Sequence, residues 1–138
     1  MSDGSTDLAT LADAMLEAAK AAGADAADAL AVDGTSLSVD VLNGRLEQAE
    51  RAEGVEIGLR VMVGQRQACV SASDIRPETL REMAERAVGM ARLAPEDPTV
   101  GLAEADMLST LRDASGLDLS DPAEDPAPHA LEESALRA

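Results

Sequence analysis

The sequence predicts an α+β fold: a curved, mainly antiparallel sheet packed by two helices, followed by an acidic, proline-rich tail. Three observations predict it. Apolar residues recur at helical spacing over residues 7–22 and again after Pro77. Between these segments the apolar period falls to two, in Leu37, Val39 and Val41 and again in Val55, Ile57, Leu59, Val61 and Val63. Asn43-Gly44 and Gly64-Gln65 then punctuate the alternating runs as hairpin turns do.

The first helix is expected over residues 7–22, with Leu8, Leu11, Met15, Leu16 and Ala19 on one stripe. Thr6 or Ser5 is expected to cap its start, acids to fill its first turn, and Gly23 to stop it. A short strand follows at 28–33 around Leu30 and Val32, and a second at 35–42. Both residues of Asn43-Gly44 tolerate positive φ, and "RLEQAERAE" reads as an exposed or edge strand on the return. Residues 55–63 form the next strand. Gly64 suits the first central position of a type II′ turn, and "RQACVSAS" runs back. The second helix starts at Pro77, where a missing N–H costs nothing, with Glu78 at the positive end of the dipole. Its buried stripe is Leu80, Met83, Ala84, Ala87, Val88, Ala91 and Met90, and it stops before Pro95. The two helices cover the apolar face of the sheet.

Two segments are expected: residues 1–105 as the α+β domain, and residues 106–138 as a linker and the start of a truncated helix. "PEDPTVGLAEADML" is placed to wrap back through Val100, Leu102 and Leu108, "DASGLDLSDPAEDPAPH" reads as linker, and "ALEESALRA" as helix.

The core must be built without Phe, Tyr or Trp, from Leu, Val, Ile, Met and Ala. The net charge of −16 repels phosphate backbones and anionic lipid surfaces, which argues against nucleic-acid and membrane partners. One cysteine makes no internal disulfide, no apolar run reaches the roughly 20 residues of a bilayer span, and "MSDGSTD" is unlike a signal peptide. A cytoplasmic location is expected.

Cys69 is the first candidate for chemistry, because a thiolate with a nearby base is a nucleophile. The single histidine, His129, sits in the proline-rich segment, so Cys69 reads instead as a small buried residue in mid-strand. Ser71, Ser73 and Asp74 lack a nucleophile elbow and a base. They read as serines on a polar strand face and an aspartate in the turn before a helix. Zinc needs three or four ligands of a kind that one Cys and one His do not supply, and Asp118, Asp121, Glu124 and Asp125 lack the pattern of a calcium loop. There is no phosphate-binding glycine loop, and Gly54 and Gly58 read as sites of close packing or a bulge. No residue is assigned a catalytic, cofactor-binding or metal-ligating role.

The order of these pieces resembles the N-terminal domain of the TldD/PmbA family, often called modulators of DNA gyrase, which includes metallopeptidases. The matching pieces are "TSLSV", "NGRLE", "GLRVMV", "SASD" before "RPETLREMAERAV", "APEDPTVGLAE" and "LDLSDP", together covering about residues 8–122. "PEDPTVGLAE" looks more like the PmbA (TldE) branch than the TldD branch. The resemblance implies a parent protein several times longer. It also implies zinc carried by a TldD-type partner subunit in an H-E-x-x-x-H motif, which this chain does not contain. The pair of subunits it implies resembles a protease for small or unfolded peptides, including microcin precursors and antitoxins. Family members usually carry aromatics in these strands, and this chain departs from them there. The function expected is therefore an assembly or substrate-channel role within a metallopeptidase complex. The chain itself is expected to be inactive, and its partners a TldD-type subunit or a second copy, and peptide substrate. The alternative is a free-standing protein-interaction module with no proteolytic function.

Overall fold

Two helices lie on one face of a three-stranded antiparallel sheet, with strand order β1-β2-β3. The architecture is that of a computed structural model, which describes residues 7–111, 114–119 and 121–138. The elements run α1 (Leu8–Ala22), β1 (Ala26–Leu42), β2 (Arg45–Val63), β3 (Arg66–Ala72), α2 (Pro77–Leu93) and α3 (Pro128–Arg137), with single 3-10 turns at Ala105–Met107 and Ser115–Leu117. They divide into two compact units. The first holds residues up to Gly34 together with Gly54–Leu102, and the second holds Thr35–Glu53 and Ala103–Ala138.

In the first unit α1 begins at Asp7, whose carboxylate accepts from the Ala9 N–H at 3.1 Å and from the Thr10 hydroxyl. Asp7 thus takes the capping role expected of Ser5 or Thr6, which lie outside the described residues. The first turn carries no acid, contrary to expectation. Gly23 ends the helix at φ +97°, with Gly23 N–H bonded to Lys20 and Ala24 N–H to Ala19. This pair of bonds is the Schellman stop, which needs a residue at ease in the left-handed region.

Four expected strand segments merge into two long ones. The gaps between the expected strands at Gly34 and Gly54 close: neither glycine takes a positive φ, and the backbone stays extended through both. The chain turns where Asn43 (φ +51°) and Gly44 (φ +72°) are both left-handed, as a two-residue hairpin loop requires, and again at Gly64 (φ +58°). The second turn is held from outside. Asp25 accepts from the Gly64 N–H at 2.7 Å, and the Asp97 N–H donates to the Gln65 carbonyl at 2.8 Å.

The core of the first unit joins Leu11, Met15 and Ala19 of α1, Ile57, Leu59 and Val61 of β2, and Leu80, Met83, Ala84, Ala87, Val88 and Ala91 of α2. Val55 and Val63 pack against it with Ala27, Ala29 and Ala31 of β1. Leu37, Val39 and Val41, expected in the same core, are absent from it; they are half-buried within the second unit. Met90 turns outward, one position off the α2 stripe, and is exposed. In the tail, Val100 is half-buried while Leu102 and Leu108 are exposed, so the expected wrap-back is limited to Val100. In the second unit, Asp125–Pro128 line a cleft with Leu37 and Ala49–Arg51, and α3 half-buries Leu131 and Ala135.

Candidate functional site

The polar residues of the alternating strands collect on the other face of the first unit's sheet, where Met62 is nevertheless buried, at 3% exposure. In the β2–β3 ladder Gly58 stands opposite Ser71, Arg60 opposite Cys69 and Met62 opposite Gln67. From β1, Asp28 reaches Arg60. The guanidinium donates from Nε to both carboxylate oxygens, at 2.9 and 3.1 Å, and from Nη2 to Oδ2. Nη1 lies 3.5 Å from Oε1 of Gln67. The hydrogen bonds that Arg60 donates to Asp28 raise its pKa further, against a smaller opposing effect of burial.

Beside this pair runs an open groove of about 600 Å³ lined by Asp28, Leu30, Gly58, Arg60, Cys69 and Ser71. It continues toward Val32, Glu56 and Ser73. Gly58 forms its floor. A Cβ there would meet nothing within 4 Å, and the same is true of Gly54, so neither glycine serves the close packing expected of it. Leu30, at 65% exposure, is the apolar wall.

Cys69 lies in this groove and is exposed, which corrects the expectation of a buried structural cysteine. The physical reason is strand parity: Ala68, Val70 and Ala72 pack against the core, and Cys69 alternates with them alongside Ser71 and Ser73. Ser71 and Ser73 are exposed, as a polar strand face predicts. Asp74 organises the start of α2, accepting from the Arg76 N–H at 3.0 Å, the Arg76 guanidinium, and the Thr79 hydroxyl at 2.9 Å. These bonds, the Arg76 side chain first, hold its carboxyl far below the ordinary 3.8. His129 stands in α3, in the second unit. Among the described residues, no group of three or more His, Cys, Asp or Glu comes together as metal ligands would. The zinc that the resemblance implies therefore finds no fitting ligand set among the described residues. The groove can bind through an apolar wall, a paired cation and hydroxyls; the Asp28–Arg60 pair was not anticipated from sequence, although its even-numbered partners already share the solvent-side parity.

Residues 27–91, the segment that builds this sheet and its second helix, match the family description "PmbA/TldA metallopeptidase domain 1". The chain is 30% identical over 108 residues to Metalloprotease PmbA of Escherichia coli O157:H7. Over residues 27–91 the chain is a TldD/PmbA-type first domain. Its fold is that of TldE from Thermococcus kodakarensis (TM-score 0.65, 17% identity, 92% of this chain and 28% of that one). A protein of Bacteroides thetaiotaomicron, described only provisionally as a modulator of DNA gyrase, shares it too (TM-score 0.68, 19% identity, 78% of this chain and 24% of that one). The E. coli match likewise covers 78% of this chain and 24% of the relative, so the chain spans about a quarter of the length of the TldD/PmbA proteins it resembles. Among the described residues no helix is long and apolar enough to cross a membrane.

Proposed function

We propose that this chain is the N-terminal domain of a PmbA (TldE)-like subunit in a cytoplasmic metallopeptidase complex acting on small or unfolded peptides. Its role there is assembly and shaping of the substrate channel, and it supplies no catalytic group. The observation that carries the reading is the 30% identity to a metalloprotease over 108 residues, most of this chain. Two physical features support it. The groove offers binding groups with no nucleophile–base pair and no metal ligand set, and the net charge of −16 disfavours nucleic acid and anionic membrane as partners. Zinc and the hydrolytic step then belong to a TldD-type partner, or to parts of the assembly outside this chain.

Co-expression of this chain with a tagged TldD-type subunit tests the proposal. The two are expected to co-purify, with zinc found in the pair and in the partner but not in this chain alone. If the two separate cleanly, the subunit reading fails and the free-standing interaction module takes its place. Stoichiometric zinc held by this chain alone would overturn the division of labour.

A further inference from the structure

We propose that the unpaired edge of β2 over Arg45–Glu53 binds an extended, basic peptide segment by strand addition. This rests on the peptide-handling role proposed above and adds to it a place and a ligand chemistry. β2 is the central strand of the sheet, yet its ladder with β3 covers only Ile57–Val63. Over Arg45–Glu53 it therefore has β1 on one side and, among the described residues, no strand on the other. Every residue from 45 to 53 is exposed, and among the described residues no segment outside the sheet hydrogen-bonds their backbone. Such a row of free N–H and C=O groups is what an added strand pairs with. The chain's own tail comes near, since Asp125–Pro128 line a cleft with Ala49–Arg51. It cannot complete the ladder, because Pro126 and Pro128 lack the alternate N–H donors that a pairing strand supplies.

Charge selects the occupant. Side chains alternate along the edge, with Arg45, Glu47, Ala49, Arg51 and Glu53 on one face and Leu46, Gln48, Glu50 and Ala52 on the other. Among the described residues Arg51 is taken up by Glu53, whereas Glu47 forms no ion pair and Glu50 accepts only from Gln48, at 3.3 Å. Leu46, at 46% exposure, offers an apolar contact beside them. Another copy would bring the same acids and a net charge of −16 to the edge, so like charges oppose self-pairing. A peptide with Lys or Arg three residues apart sets one cation opposite Glu47 and the other opposite Glu50, on the two faces of the new strand.

The probe is the octapeptide acetyl-Thr-Lys-Val-Thr-Lys-Val-Thr-Val-amide, titrated calorimetrically into the full chain. The comparison peptide has the same sequence with four consecutive backbone amides N-methylated, which keeps the charge and removes the donors. N-methylation is expected to weaken binding by about tenfold or more, as a backbone-paired mode requires. The Glu47→Lys/Glu50→Lys variant is expected to weaken it by about fivefold and to prefer a peptide with Glu in place of Lys. Equal binding of the two peptides would reduce the effect to bulk attraction and overturn the proposal, as would no binding at all. A dimer dispersed by the peptide would overturn it by making another copy the natural occupant. If the double variant does not fold, the peptide comparison on the unaltered chain decides alone. Lost peptide binding with retained capture of the TldD-type subunit sinks the edge and spares the subunit reading; the reverse result sinks the subunit reading and spares the edge.

Discussion

Cys69 and Arg60 stand opposite one another across the β2–β3 ladder, on the solvent side of the sheet. One residue along, Leu59 is 2% exposed among the helices. Leu59→Ala is therefore expected to cost about 2–5 kcal/mol, through lost transfer energy and the cavity left behind. Arg60→Ala loses a bidentate pair whose members remain about a third and a half exposed, and is expected to cost about 1 kcal/mol or less. Chemical denaturation of both variants checks the order, and a reversal would mean the strand register is off by one. Cys69, open in the groove, is expected to react with a thiol reagent in the folded chain at a rate close to that of a free thiol. Protection that disappears only on unfolding would contradict its position. The residue's type argued for burial and its parity against it, and in a half-buried strand parity prevails because one step along the chain changes the face.

At the scale of elements, α2 is fixed at its start by a residue outside the helix. Arg76 occupies the cap position but makes no side-chain capping bond, and Asp74 ties Arg76 and Thr79 together instead. Because these bonds lower the folded-state pKa of Asp74 below 3.8, the stabilisation it gives is complete above about pH 4 and lost as pH falls through the lowered value. Asp74→Asn should thus be less stable than the unaltered chain at neutral pH, with the gap narrowing progressively as pH falls below about 4. Thermal denaturation of the pair across that range reads it, and a gap constant with pH would exclude the carboxylate as its source. The helix limits were legible in sequence because Gly23 and Pro77 act through local backbone chemistry. The hairpin turns were legible for the same reason. Strand lengths were not: the expected strands stopped on either side of Gly34 and Gly54, yet an extended glycine interrupts nothing, and only tertiary pairing decides whether a strand continues.

For the whole molecule, sequence carried the α+β class and the family, because both are encoded in the order of elements rather than in any one residue. The candidate site was harder to see. Its Asp28–Arg60 pair joins residues 32 positions apart, and no local pattern announces a partner at that separation. The assignment of Leu37, Val39 and Val41 to the common core failed on a similar ground: alternation fixes which face a residue takes, not which of two compact units will cover that face. The core that did form has a further consequence. Ala19, Ala84, Ala87 and Ala91 are fully enclosed, and the sequence has no Phe, Tyr or Trp to fill space between the helices. At these positions truncation has almost nothing to remove, so the interior is vulnerable to added bulk. Ala87→Leu is expected to destabilise the chain by about 1–3 kcal/mol by forcing α1 and α2 apart, whereas Ala87→Gly costs about 1 kcal/mol from helix propensity. If leucine proves the milder change by denaturant titration, the helices have slack between them; otherwise selection at this interface acts as an upper limit on side-chain size, and drift toward larger residues is the route by which the domain would be lost.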